Sequence, residues 1–209
     1  MNYYDERNKC VYFTSSLNSA ITRMDYRVDI DGKTPAEAVD PSQTRGFHSY
    51  NVAPGSRYAL HCWTTSTEPM TADLIDLKNN KVIRNVVSNS ALKAKLAALD
   101  LPEKEFFRVD IGEEVLDAYI IKPKDFDPNK KYPVLFYVYG EPINTTVTDS
   151  WEGNTYLYHQ CIVQEGYIVM SVENRGTPSP RGVDFRKYSY KRIGITTPDD
   201  QAKAVKKIL

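Results

Sequence analysis

Two runs of the chain are apolar almost without a break: Pro133-Val134-Leu135-Phe136-Tyr137-Val138-Tyr139 and Tyr167-Ile168-Val169-Met170-Ser171-Val172. A strand that alternates polar and apolar residues keeps one face in water, whereas a continuously apolar strand must be covered on both faces. A helical stretch around 151–165 lies between the two runs. Strand, helix, strand of this kind predicts a βαβ crossover within a mostly parallel sheet. A hairpin precedes it, Phe106 to Ile111 and Val115 to Ile121 across Gly112-Glu113-Glu114. A helix from Pro198 follows, with Thr197 as its cap, Pro198 at its first position, and Ala202, Val205 and Leu209 on one face.

Residues 1–88 follow a different pattern. Val11-Tyr12-Phe13-Thr14, Tyr26-Arg27-Val28-Asp29-Ile30 and Ala36-Glu37-Ala38-Val39 are short and β-branched, aromatic or alternating. Ser49 to Val52, Tyr58 to Trp63, Ala72 to Leu77 and Val82 to Val87 repeat that pattern, separated by turns such as Pro54-Gly55 and Lys78-Asn79-Asn80. Two antiparallel units result, one over about 4–41 with three clear strands and one over about 46–88 with four. A strand unit of about 40 residues is the period of a β-propeller blade. Two units do not close a ring that typically has about 4–8 blades. Between the two patterns Leu92, Leu96 and Leu99 repeat at helical spacing, which predicts a short amphipathic connector helix with Ser88 or Asn89 as its cap. The division is therefore 1–88 for the blades, 89–105 for the connector and linker, and 106–209 for the α/β part.

The chain has 209 residues, with 27 Lys plus Arg against 27 Asp plus Glu. Neither half carries a charge excess of the kind that binds nucleic acid, and the basic stretch 181–207 reads as a solvated face. No apolar run is long enough to span a membrane, and the start, Met1 to Arg7, is not a signal peptide. These features leave the cellular compartment open. Cys10, Cys62 and Cys161 are odd in number and widely spaced, so no disulfide framework is expected, and Cys10 and Cys62 read as small buried hydrophobes. His48, His61 and His159 lack metal-ligand spacing. No metal site and no cofactor are expected, since phosphate-binding and dinucleotide-binding fingerprints are absent as well.

Two loops carry candidate chemistry. Tyr139-Gly140-Glu141-Pro142 follows the first buried run, at the carboxyl end of a strand, where open α/β sheets bind ligands. A tyrosine hydroxyl there either donates to a developing oxyanion or simply packs, with Gly140 serving the turn. Glu173-Asn174-Arg175-Gly176-Thr177 follows the second run. Arg175 either pairs with a ligand carboxylate or makes a structural salt bridge in a surface loop. No Gly-x-Ser-x-Gly occurs in the sequence.

The strings Lys131-Tyr132-Pro133-Val134-Leu135-Phe136-Tyr137-Val138-Tyr139-Gly140, Gly166-Tyr167-Ile168-Val169 and Asn174-Arg175-Gly176-Thr177 carry a resemblance. Val11 to Thr14, Asn89 to Leu96, Arg181-Gly182, Asp184-Phe185-Arg186 and Asp200-Gln201 extend it over nearly the whole chain. The chain resembles an internal segment of a prolyl oligopeptidase-family serine peptidase, of the dipeptidyl peptidase IV branch found in bacteria. That resemblance implies a β-propeller followed by an α/β-hydrolase domain, and release of N-terminal X-Pro or X-Ala dipeptides. It implies that Tyr139 is the oxyanion-hole donor, with Gly140, Glu141 and Arg175 as neighbouring loop residues. It also implies that the nucleophilic Ser, the Asp and the His lie outside this sequence, so the chain alone is expected to be inactive. The relatives are often periplasmic or on the cell surface.

Two departures stand out. Glu141 replaces a usual glycine, and Thr177-Pro178-Ser179-Pro180 replaces a glycine-rich loop. The expected partners are a peptide substrate in the full-length parent and either the remainder of the peptidase or a second copy, with no nucleic acid and no membrane. The rival readings are a non-catalytic binding module derived from propeller blades, and the acylaminoacyl peptidase or oligopeptidase branch of the same family.

Overall fold

The computed structural model describes residues 3–39 and 45–209. Met1 and Asn2, and the expected end of the first strand unit near residue 41, lie outside the described residues. The chain divides into two units, Met1–Leu99 with Asp149–Trp151, and Asp100–Thr148 with Glu152–Leu209.

The first unit holds two four-stranded sheets. β1 (Tyr3–Asp5), β2 (Cys10–Ser15), β3 (Met24–Asp29) and β4 (Glu37–Ala38) form one, and β5 (Phe47–Val52), β6 (Tyr58–Thr64), β7 (Thr71–Asp76) and β8 (Lys81–Val87) form the other. Each is an antiparallel meander in chain order. Alternation along the strands aims Cys10, Tyr12, Tyr50, Ala59 and Ile75 into one core. The first sheet has four strands where the sequence predicts three. Asp5 explains the added β1: its Oδ1 accepts the N–H groups of Arg7 (3.0 Å) and Asn8 (3.1 Å), closing the turn into β2. Cys10 is buried as expected, but Cys62 is only half-buried. Its neighbour His61 takes the buried side of β6, and strand alternation sends Cys62 to the other.

α1 (Ser90–Ala98) forms where the leucine repeat predicts it. The expected amphipathic face does not, because no residue of α1 is buried. Polar side chains hold the helix instead. Asn89 Nδ2 donates to the Met70 carbonyl (2.7 Å), and Lys93 Nζ pairs with Glu68 (2.7 Å) and donates to Thr71 Oγ1 (3.0 Å). The Asn89 side chain makes no capping bond.

The second unit holds a sheet of β9 (Lys104–Asp110), β10 (Val115–Ile121), β11 (Val134–Phe136) and β12 (Ile168–Val172), in the order β11-β12-β10-β9. α2 (Asn154–Gln164) connects β11 to β12, which pair in parallel. The other two pairings are antiparallel. The expectation of a mostly parallel sheet is therefore corrected, among the described residues, to a mixed sheet. A short turn returns β10 against β9 and can do so only antiparallel. β12 then inserts beside β10 in the opposite direction.

The first apolar run is also corrected. Only Val134–Phe136 is strand, all three residues are half-buried, and β11 occupies the end position of the sheet. Pro133 donates no N–H, although its carbonyl accepts from Ile168 (2.9 Å), and the ladder continues through the Tyr137 N–H to Met170 (2.8 Å). The second run behaves as predicted: four of the five residues of β12 are buried.

α3 (Val183–Lys187) is short, and α4 (Thr196–Ile208) starts two residues before Pro198. Thr197 does not cap α4, because the helix already begins at Thr196 and Thr197 lies inside its first turn. The buried side of α4 is Thr196, Asp200 and Ala204, with Ile208 packed against the core. The expected face of Ala202, Val205 and Leu209 is not the buried one. An ion pair at Asp200 turns the helix in a way that hydrophobic periodicity does not reveal.

Candidate functional site

Immediately after β12 the chain buries five consecutive residues, Glu173-Asn174-Arg175-Gly176-Thr177, four of them polar. A surface loop was the expectation, and burial here follows from hydrogen bonding, since each polar side chain has a partner. Glu173 Oε2 accepts the N–H groups of Thr146 (2.8 Å) and Val147 (2.9 Å). Burial pushes the Glu173 carboxyl pKa up, and the hydrogen bonds from the Val147 and Thr146 N–H groups oppose that rise without cancelling it. The Thr177 hydroxyl donates to the Asn174 carbonyl (3.2 Å). Gly176 has φ 95°, and a Cβ there would run into Ser189, so this position requires glycine.

Arg175 pairs with a carboxylate of its own chain. Its backbone N–H and Nε both donate to Asp200 Oδ2 (3.0 Å each), and Nη2 donates to Oδ1 (2.6 Å). The guanidinium also reaches Glu113 (3.4 Å) and lies 3.8 Å from the centre of the Tyr188 ring. Hydrogen bonding to Asp200 is the main reason its pKa rises. With these partners the Arg175 guanidinium serves to fasten α4 to the end of β12.

Tyr139 lies three residues beyond β11 and is 41 % exposed. Gly140 next to it is buried with φ 79°. Its carbonyl accepts from Thr197 Oγ1 (2.7 Å) and Asn174 Nδ2 (3.2 Å). Glu141 follows, half-buried. The structure thus brings the two candidate loops together through Gly140 and Asn174, and leaves the Tyr139 phenol accessible. A phenol so placed can donate a hydrogen bond to an oxygen of a bound ligand.

Thr197, Asp200 and Gln201 hold this region together, a role that neither the expected cap at Thr197 nor the Asp200-Gln201 resemblance string reveals. Gln201 Nε2 donates to the Val172 carbonyl (2.8 Å) and to Asn174 Oδ1 (3.1 Å). The available signal was their spacing, which puts all three on one side of a helix.

A second polar cluster also escaped sequence reasoning. His159 is fully buried, 4.8 Å from the Tyr137 ring centre, and its Nε2 has no hydrogen-bond partner among the described residues. Burial, helped by the charge of Lys104, lowers its pKa to about 4. Lys104 pairs with Glu152 (2.9 Å) and lies over the Tyr119 ring. In the first unit the ring nitrogens of His48 and His61 approach to 2.9 Å. No group of three or more His, Cys, Asp or Glu side chains suited to a metal ion occurs among the described residues.

No family model matches the chain. Curated relatives do. It is 33 % identical to dipeptidyl peptidase 4 of Arthroderma otae over 208 residues, covering 98 % of this chain and 26 % of that protein. It is 31 % identical to dipeptidyl peptidase 4 of Trichophyton rubrum over 209 residues, with the same shares of 98 % and 26 %. Among solved structures, the crystal structure of Porphyromonas gingivalis dipeptidyl peptidase 4 superposes with a TM-score of 0.89 at 28 % identity, over 99 % of this chain and 28 % of that one. The chain spans about a quarter of the length of the curated relatives it matches. In sequence and in fold, over nearly all of its residues, the chain is similar to part of the dipeptidyl peptidase 4 proteins.

Proposed function

We propose that the chain is part of a serine-type exopeptidase that releases N-terminal dipeptides, X-Pro or X-Ala, from peptides. In this reading residues 1–88 are propeller blades, 89–105 connect, and 106–209 begin an α/β-hydrolase domain. The accessible Tyr139, three residues beyond the parallel crossover strand and next to a fastened glycine, is the observation that carries the proposal. Its hydroxyl donates to the oxygen that becomes negative when a serine attacks the scissile carbonyl. The serine, and the His and Asp that activate it, come from sequence other than these 209 residues, in which Gly-x-Ser-x-Gly does not occur.

Tyr139→Phe in the full-length peptidase tests the role. It should lower kcat by about 10²–10³-fold with little change in KM. A purely packing tyrosine would instead leave kcat within a few-fold and lower the melting temperature. A polypeptide of residues 1–209 alone should neither hydrolyse Ala-Pro chromogenic dipeptides nor react with a fluorophosphonate. Stoichiometric labelling of one of its own serines would refute the assignment of the nucleophile.

A further inference from the structure

The β11 ladder ends at the Tyr137 N–H. Tyr139 lies beyond it, so strand pairing does not set the direction of its side chain. The next fastened group is the Gly140 carbonyl, held by two side chains from distant parts of the chain, Thr197 Oγ1 at 2.7 Å and Asn174 Nδ2 at 3.2 Å. Those two also bond each other, Asn174 Nδ2 donating to Thr197 Oγ1 at 3.3 Å. We infer that Thr197 and Asn174 form a clamp on the Gly140 carbonyl that positions the Tyr139 hydroxyl, so that they act as positioning residues for the reaction; this rests on the oxyanion role proposed for Tyr139.

Three features support a clamp rather than incidental contact. Gly140 has φ 79°, and a Cβ there would collide with Thr197 Cγ2, so the glycine and the threonine fit only each other's small size. Thr197 itself is anchored. Arg175 binds Asp200 through three hydrogen bonds, and Gln201 bonds both Val172 and Asn174, so the first turns of α4 are fixed against the end of β12. Thr197 also lies inside the first turn of α4, so the helix fixes its backbone. A donor aimed at a transition-state oxygen must be held to about 0.5 Å, and such precision needs a supporting layer of locked side chains.

Thr197→Val keeps the shape and removes the donor, and Thr197→Ser keeps the donor. In the full-length peptidase Thr197→Val should lower kcat about ten-fold with KM within about two-fold, and Thr197→Ser should retain most of the activity. In a Tyr139→Phe background the same Thr197→Val change should cost less than about two-fold, because the hydroxyl it positions is gone. An equal loss in both backgrounds overturns the clamp and leaves the role of Tyr139 standing. A Tyr139→Phe enzyme with normal kcat overturns that role instead, and the clamp's catalytic meaning with it.

The chain of residues 1–209 offers a readout without activity. The Gly140 carbonyl carbon resonance should move in Thr197→Val, as it does when a carbonyl loses a hydrogen bond, and stay near its place in Thr197→Ser. An unmoved resonance in Thr197→Val overturns the clamp.

Discussion

β8 and the segment 173–177 invert the usual relation between polarity and burial. All seven residues of β8 are exposed, and Val82, Ile83, Val86 and Val87 are among them. The five residues after β12 include a glutamate, an asparagine, an arginine and a threonine, and all are buried. β8 sits at the end of its sheet and pairs on one side only. Segment 173–177 meets Asp200, Thr197, Gln201 and the 146–147 backbone, which satisfy its polar groups one by one. Burial in this molecule is thus decided by which partners are present. Hydropathy alone misassigns both segments.

The polar side of that contrast is tested by removing one partner. Asp200→Ala leaves the Arg175 guanidinium buried without its main counter-charge. Breaking a buried pair in this way costs about 3–5 kcal/mol, and denaturant unfolding of the variant should show a loss of that size. Replacing Arg175 and Asp200 together by apolar residues should cost clearly less than Asp200→Ala, because no lone charge is then left inside. A loss below about 1 kcal/mol for Asp200→Ala would mean that the pair behaves as a surface salt bridge, and the contrast would fail.

His159 sharpens the same point through pH. Its folded-state pKa of about 4 lies below the ordinary 6.5, because burial disfavours the charged ring and Lys104 adds to that. The unfolded chain therefore takes up the proton first as pH falls. The stability contributed by the neutral ring is fully present above about pH 6.5 and is lost progressively toward about pH 4. Stability measured across that window should fall less steeply in His159→Gln than in the parent. Parallel slopes would show that His159 is not the group responsible.

The apolar side should respond least. Val82→Lys with Val86→Lys on exposed β8 should change folding stability by no more than about 0.5 kcal/mol per site. The same pair of changes should reduce self-association of 1–209 measured by light scattering, since charges on an exposed strand oppose edge pairing. A large stability loss would mean that β8 is covered after all.

The sequence was most legible where local rules act alone. Alternation and turn residues placed β2, β3 and β5–β8 to within about two residues. The Tyr132-Pro133 to Gly140 string located β11 and the loop that follows it. β1 was missed because three residues carry little periodicity, and its turn depends on the Asp5 side chain. The shortening of β11, the bare surface of α1 and the rotation of α4 were missed for one shared reason. Each depends on what lies beside the element, such as Met70 and Glu68 beside α1 and Arg175 beside α4.

Tyr139, Gly140, Asn174 and Arg175 could be named from sequence as members of two strand-end loops, and the fold class of the strand-rich half followed from period-two alternation. That Gly140 is clamped by Thr197, that Arg175 belongs to Asp200, and that the exposed tyrosine lies next to this network were decided only by tertiary structure. Hydrogen bonds between residues far apart in the chain leave no periodic trace in it. They are specified by geometry, and the geometry exists only once β12 and α4 have been brought together.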